Sequence, residues 1–133
     1  MNIENLNNKQ QEAVLKTEGP LLVLAGAGSG KTKVLTTRIA YLIEEKHIDP
    51  YNILAITFTN KAAKEMKDRT YNLIGEQASS LQISTFHSFG LKIVRENCEL
   101  LGYDHNFVIM DSDDSLTVVK KILKDISIGY LFH

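Results

Sequence analysis

The sequence predicts an α/β fold in which helices flank a parallel sheet, and three observations support this prediction. Short apolar runs alternate with longer segments whose apolar residues recur with helical period. The apolar runs are continuous, as in the buried strands of parallel sheets. At 133 residues, the chain is long enough for one domain with a substantial core. Strands and helices that alternate at this spacing are typical of a parallel sheet with helices on both faces.

The first two elements are a helix and a strand. Residues 6–16 are predicted to form a helix with Asn7 or Asn8 as its N-cap, and a Gly-Pro pair breaks it. Residues 21–25 form a continuous apolar run, which predicts a buried strand.

A helix and a strand follow again. Residues 30–46 carry apolar side chains with a period of 3.6 and are predicted to form an amphipathic helix. Pro50 prevents further helix, and residues 53–58 predict a second strand.

The third repeat of this pattern starts at Thr59 or Asn60, either of which can cap a helix that Gly75 ends. Residues 81–84 predict a short third strand, and residues 86–101 predict the next helix.

The last part of the chain is predicted to be less regular. Residues 107–110 are either a fourth strand or an extended lead-in to a final helix. Asp111, Asp113 and Asp114 lie at the start of that helix, where acidic side chains suit the macrodipole. They lack the glycine and distal glutamate of a calcium loop, so helix capping is the prediction.

Composition excludes several classes of protein. No apolar run approaches the ~20 residues that a membrane helix needs, and the polar start MNIENLNNKQQ does not resemble a signal peptide. A net charge of −1 requires any nucleic-acid contact to be local. Cys98 is the single cysteine, which excludes an internal disulfide and favours a reducing, cytoplasmic location.

The segment AGAGSGKT, residues 25–32, predicts a phosphate-binding loop because it follows a strand and opens a helix. Small residues let backbone N–H groups surround an anion, and the helix N-terminus adds partial positive charge. Lys31 is expected to reach the β- and γ-phosphates, and the Thr32 hydroxyl to ligate Mg²⁺. The residues predicted to bind the nucleotide here are Ala25, Gly26, Ala27, Gly28, Ser29, Gly30, Lys31 and Thr32.

One position of this loop departs from the strict pattern G-x-x-x-x-G-K-[ST], since Ala25 replaces its first glycine. A glycine-rich turn that binds nothing is one alternative. A dinucleotide loop is another, but Lys31 stands where its last glycine belongs. The loop is therefore predicted to hold a nucleoside triphosphate.

Four segments, LNNKQQEAV, LLVLAGAGSGKTKVL, ILAITFTNKAAKEMKDR and ISTFHSFGLKIVR, together resemble the opening motifs of superfamily 1 DNA helicases of the UvrD/PcrA/Rep type. The resemblance extends over residues 6–126. It implies a RecA-like P-loop NTPase domain with ATP and Mg²⁺ as cofactors, in which Lys31 and Thr32 serve catalysis. It also implies 3′→5′ translocation on single-stranded DNA and unwinding of 3′-tailed duplex in repair or replication, with no membrane partner.

The resemblance adds two nucleotide contacts. Gln10 is implied to read the adenine edge, since an amide can pair with N6 and N7, whereas a solvated helix glutamine is the alternative. Lys33 stands where the family often has arginine; it keeps the charge but lacks the planar fork. A solvated lysine is the alternative there.

Two motifs, TFTN and STFH, are implied to contact single-stranded DNA. Phe58 can stack on a base in a sequence-tolerant way, or it can be a core residue that ends a strand. His87 can contact DNA, or it can cap or pack within the protein. The predicted DNA-binding residues are Thr57, Phe58, Thr59, Asn60, Thr85, Phe86 and His87.

The family's second acidic motif, an apolar run that ends in Asp-Glu, does not occur in this sequence. Residues 1–133 are therefore expected to be the N-terminal part of a helicase ATP-binding domain, truncated before that motif and inactive alone. The missing strand would leave a free sheet edge, so self-association is expected. The alternatives are a non-catalytic module that binds nucleotide or single-stranded DNA, and an unrelated P-loop kinase or ATPase.

Overall fold

A computed structural model describes residues 3–126, which divide into two compact units between Ile93 and Val94. The helices are α1 (Asn8–Leu15), α2 (Lys31–Glu44), α3 (Asn60–Ile74), α4 (Phe86–Glu96) and α5 (Ser112–Asp125). The strands are β1 (Leu54–Thr57) and β2 (Gln82–Thr85), and short 3₁₀ turns cover Pro50–Asn52, Gly75–Ser80 and Cys98–Leu101. All five predicted helices are confirmed. The prediction that residues 1–133 form part of one ATP-binding domain stays a prediction.

The structure decides between the predicted helix caps. Asn7 caps α1: its side chain accepts a hydrogen bond from Gln10 N–H, and the Gln10 side chain accepts one from Asn7 N–H. Thr59 caps α3, because its Oγ1 accepts from Ala62 N–H at 3.1 Å. Gly75 ends α3 with φ of +62°, a conformation that favours glycine.

The two strands form a parallel sheet that helices flank, as predicted. Leu54 pairs with Gln82 at one end, and Thr57 pairs with Thr85 at the other. The strands are less covered than their continuous apolar sequences predicted, since Leu54 is exposed and only β2 has fully buried positions.

The predicted strand at residues 21–25 is wrong for the part of the chain that the structure describes. These residues have no regular secondary structure, and they join no sheet with β1 or β2. Leu22 and Leu24 are 82% and 87% exposed. An apolar run specifies a preference for burial, whereas a strand also needs a neighbour whose backbone completes its hydrogen bonds. Residues 107–110 likewise have no regular secondary structure and join no sheet in the described chain, so the fourth strand is wrong and they are a lead-in to α5.

Two hydrophobic clusters hold the first unit together. The larger cluster joins α2 and α3 to β2 and the turn before it, through Ile39, Ala40, Ile43, Met66, Ile74, Leu81 and Ile83. The smaller one contains Leu6, Ala13, Val14 and Val34, and it packs α1 against the first turns of α2. The N-terminal segment is thereby held beside the loop that precedes α2.

In the second unit, Asp111 caps α5 by accepting from the N–H groups of Asp113 and Asp114 at 2.9 and 2.8 Å. The predicted cap is therefore confirmed. Buried Cys98 contacts His105 Nδ1 at 3.2 Å, and His105 Nε2 lies 3.0 Å from a Glu99 oxygen. Between residues 3 and 126, no group of acidic, histidine and cysteine side chains is arranged to hold a metal. No helix in that range is long and apolar enough to span a membrane.

Candidate nucleotide-binding site and nucleic-acid interface

The loop of residues 25–30 turns tightly before it enters α2. Gly28 and Gly30 have φ angles of +74° and +83°, which side chains with a Cβ rarely adopt. Ser29 closes the turn, since its N–H and its Oγ both donate to the carbonyl oxygen of Gly26, at 3.3 and 2.7 Å. Glycine is thus required at these two positions by conformation, independently of any ligand.

The Lys31 ammonium folds back over this loop. Its Nζ donates to the carbonyl oxygens of Ala25 and Gly26 at 3.1 and 2.6 Å. The first intrahelical bond of α2 runs from Val34 N–H to Gly30 at 3.0 Å, which leaves the earlier N–H groups without a helical partner. A flexible cation and a set of free N–H groups therefore meet at a helix N-terminus, an arrangement that suits an anion.

Thr32 lies in the first turn of α2 and is half-buried. Its carbonyl accepts from the Thr36 hydroxyl at 3.0 Å, which fixes the turn without using the Thr32 side chain. Within residues 3–126 no carboxylate cluster accompanies this hydroxyl. Thr32 can therefore supply one oxygen ligand to a cation, and the other ligands must come from elsewhere.

Gln10 contacts the loop, whereas Lys33 does not. Gln10 Nε2 donates to the Ser29 carbonyl at 3.0 Å, which places this amide directly beside the predicted phosphate site. Lys33 Nζ instead donates to the Asn5 carbonyl at 2.9 Å, on the N-terminal segment. The nucleotide contacts of both residues stay predictions.

A cleft of about 340 Å³ also borders Lys31, but its lining is mainly apolar. Leu21, Val23 and Leu35 contribute to it, and Gln10 and Ser29 do not. Phosphate oxygens need N–H groups and cations, so the loop itself and not this cleft is the candidate phosphate site.

The parallel register brings the two predicted DNA motifs to one edge of the sheet. Because Thr57 pairs with Thr85, the residues that follow them, Phe58 and Phe86, leave neighbouring strands at the same end. Both side chains are exposed, Phe58 by 85% and Phe86 by 66%, and His87 beside them is also exposed. The alternative that Phe58 is a core residue is therefore wrong.

The polar residues of these two motifs differ in how accessible their side chains are to a ligand. Asn60 is exposed and Thr57 is half-buried. The Thr59 hydroxyl caps α3, and Thr85 is 5% exposed, with its Oγ1 bonded to Ser88 N–H and Ser88 Oγ at 3.2 and 2.9 Å. Thr59 and Thr85 thus have structural roles at helix starts, and their DNA contacts stay predictions.

The sequence predicts only a capping role for one residue beside the loop. Asn7 orients Gln10 as well as beginning α1, through the reciprocal bonds described above. The signal was present in the three-residue spacing between Asn7 and Gln10, which matches a capping box.

Comparison with known proteins agrees with the resemblance. The family model described as UvrD/REP helicase N-terminal domain matches residues 6–130. The ATP-dependent DNA helicase PcrA of Staphylococcus epidermidis is 57% identical over 122 residues, which are 92% of this chain and 17% of that protein. The PcrA of Staphylococcus aureus is 54% identical over 123 residues, again 92% of this chain and 17% of the relative. This chain therefore belongs to the UvrD/Rep helicase family, in which it corresponds to an N-terminal fragment.

Proposed function

We propose that this chain is the ATP-binding segment of a DNA helicase that translocates 3′→5′ on single-stranded DNA and unwinds 3′-tailed duplexes. The observation that carries the proposal is the loop of residues 25–32, folded at the N-terminus of α2 in a member of this family. The name of the matched PcrA proteins, ATP-dependent DNA helicase, supports ATP and DNA as ligands. Direction, a role in repair or replication and a cytoplasmic location rest on the family resemblance.

In this proposal Lys31 exchanges the carbonyls of Ala25 and Gly26 for the β- and γ-phosphates of ATP. The free N–H groups of the first turn of α2 hold further phosphate oxygens. Thr32 supplies one ligand to Mg²⁺, an ion that commonly takes one or two protein oxygens together with phosphate oxygens and water. When bound, Mg²⁺ neutralises charge on the phosphates.

The adenine is assigned to Gln10, whose amide already lies at the loop. An amide offers a donor and an acceptor side by side, which match adenine N7 and N6. Lys33 is the weaker nucleotide candidate, because its ammonium bonds to the Asn5 carbonyl.

Single-stranded DNA is proposed to cross the sheet edge that carries Phe58 and Phe86. Their exposure suits stacking on bases, which is worth about 1–3 kcal/mol per base and tolerates any sequence. Phe58→Ala should weaken binding of a fluorescent oligothymidylate by about tenfold in an anisotropy titration. Tyr51→Ala is the control, since Tyr51 is 71% exposed but precedes β1 at the opposite end of the strand. Equal losses in the two variants would contradict the assignment.

These 133 residues are proposed to bind ATP without hydrolysing it. The sequence contains no strand followed by Asp-Glu, the pair that positions the attacking water in such enzymes. The test is phosphate release by the purified chain with and without single-stranded DNA, next to a direct measurement of ATP binding. Binding without turnover is expected, whereas DNA-stimulated hydrolysis would overturn this proposal.

Self-association through residues 21–25 is also proposed. Leu22 and Leu24 are almost fully exposed, and the segment that carries them is joined to neither strand of the sheet. A second copy that pairs with this free backbone would cover both side chains. Light scattering should show dimers or larger species, and Leu22→Lys with Leu24→Lys should reduce them. A monodisperse monomer with a high melting temperature would refute this proposal.

A further inference from the structure

The strand β2 lies at an edge of the sheet, because β1 is its one strand neighbour in the part of the chain that the structure describes. Gln82 N–H donates to the Ile53 carbonyl at 3.3 Å, so the backbone of Gln82 faces β1. Successive residues of a strand direct their N–H and C=O groups to opposite sides. The N–H and C=O groups of Ile83 therefore face away from β1, towards the open edge.

A cleft of about 210 Å³, which we name the β2 groove, lies at this strand between α3 and the start of α4. Four consecutive residues, Leu81–Ser84, line it, so the groove follows the strand. The flanking helices contribute Lys67, Ser88, Phe89 and Lys92. All of these residues belong to the first unit.

The lining of the β2 groove combines apolar and cationic side chains. Leu81 and Ile83 are buried and Phe89 is half-buried, whereas Lys67 and Lys92 are exposed. None of the described side chains that line this groove is a carboxylate. Asp68, which follows Lys67 in α3, lines a neighbouring cleft instead. The groove therefore complements a ligand that has both apolar and negatively charged groups.

Ser84 adds an unsatisfied hydrogen-bonding group to this groove. Its Oγ is buried, and no atom of the described residues forms a hydrogen bond with it. A buried hydroxyl without a partner costs free energy, which a ligand that supplies a carbonyl or an N–H group would recover. Ser84 thus favours a ligand with polar groups close to the strand.

We propose that the β2 groove binds an extended acidic peptide segment of a partner protein, which adds a strand to the open edge of β2. The main-chain groups of Ile83 pair with the peptide backbone, as in other complexes formed by strand addition. An extended peptide that alternates acidic and apolar residues offers carboxylates to Lys67 and Lys92 and apolar groups to Leu81 and Phe89. A small anion or a nucleic acid can use the two lysines, but neither can continue the sheet.

The test is an anisotropy titration of the 133-residue chain with the fluorescent peptide acetyl-Glu-Val-Glu-Val-Glu-Val-Glu-amide. Lys67→Glu combined with Lys92→Glu should weaken binding by about tenfold, because two attractive contacts become repulsive. Lys61→Glu combined with Lys64→Glu is the matched control, with the same change of net charge. Both of these lysines are exposed on α3 outside the groove, so binding should change less than about twofold.

Ser84→Ala separates binding from folding. It removes a hydroxyl that has no partner in the free chain, so the melting temperature should not fall. Binding of the acidic peptide should nevertheless weaken by about three- to tenfold, because the hydrogen bond to the peptide is lost. Unchanged peptide affinity in Ser84→Ala would contradict the placement of the peptide along β2.

Two N-methylated peptides distinguish strand addition from simple charge attraction. Every second N–H of an added strand faces its neighbour, so methylation of one alternate set of amides should abolish binding and methylation of the other set should not. Equal effects of the two sets would overturn the proposal, and so would equal losses in the two double variants. Two other results would also overturn it: dimers of this chain, or binding of oligothymidylate, that depend on Lys67 and Lys92 while the acidic peptide does not bind.

Discussion

Replacement of Lys31 by alanine separates the part that this side chain plays in ligand binding from its part in stability. In the free protein Nζ bonds to the carbonyls of Ala25 and Gly26, on an exposed surface. Exposed charged contacts of this kind contribute about 0–1 kcal/mol to stability. The melting temperature of Lys31→Ala should therefore fall by at most a few degrees.

ATP affinity should change much more. A hydrogen bond to a charged group is worth about 1.5–3 kcal/mol, but Lys31 must first leave two carbonyls, so only the difference is realised. Two phosphates carry full negative charge, whereas the carbonyls of Ala25 and Gly26 are neutral, so the exchange favours the nucleotide. We expect about 1.4–2.8 kcal/mol of lost binding energy, a 10- to 100-fold weaker affinity.

The assay is a titration of the chain with ATP at two salt concentrations, next to thermal unfolding of each variant. Lys46→Ala is the control, because Lys46 follows the opposite end of α2 and its substitution removes the same single positive charge. Its ATP affinity should change less than about twofold, since the exposed charge is far from the loop and screened by salt. Equal affinity losses in Lys31→Ala and Lys46→Ala would refute the reasoning, because they would indicate a non-specific charge effect. An unchanged affinity in Lys31→Ala would refute the phosphate site.

Three further predictions concern stability. Thr59→Ala should destabilise the protein by about 1 kcal/mol in urea unfolding, because α3 loses its N-cap, and Thr59→Ser should recover most of this. Asp111→Ala should cost about 1 kcal/mol, visible as lost helical circular dichroism from α5, and an unchanged spectrum and stability would contradict this. The Tyr71 phenol donates to Glu76 at 2.6 Å, which raises the pKa of Tyr71 above its ordinary value. The stabilisation from that bond is present below about pH 10 and lost as the pH rises through the raised pKa. Ultraviolet titration should show a tyrosine that ionises at raised pH, and Tyr71→Phe should remove this ionisation. Its persistence in Tyr71→Phe would contradict the assignment.

The sequence was sufficient to predict the helices, because the residues that specify a helix lie close together in sequence. Periodic apolar residues together with Thr59, Gly75 and Asp111 predicted where α3 and α5 begin or end, since caps act within one helical turn. The conformation of the predicted phosphate loop was equally accessible, because backbone conformations with positive φ require glycine at Gly28 and Gly30 whatever the rest of the fold does.

The predicted strand at residues 21–25, which the structure does not contain, shows what local sequence cannot determine. Its apolar sequence is as strong as that of β1, yet β1 has β2 beside it and residues 21–25 have no such neighbour in the described chain. Pairing depends on a second segment far away in sequence. The residues close to Leu22 in sequence therefore cannot show whether a partner strand lies beside it. Lys33 is similar, because its partner is a backbone carbonyl 28 positions earlier.

The sequence by itself determined which residue types can hold a phosphate and which segments are helical, because both depend on neighbours within a few positions. The tertiary structure alone decided that Phe58 and Phe86 share one edge, through the pairing of Thr57 with Thr85. It also decided that Thr85 is buried and that the Gln10 amide lies between Asn7 and Ser29. The physical reason is that orientation and burial are set by contacts between distant segments, and those contacts exist only once the chain has packed.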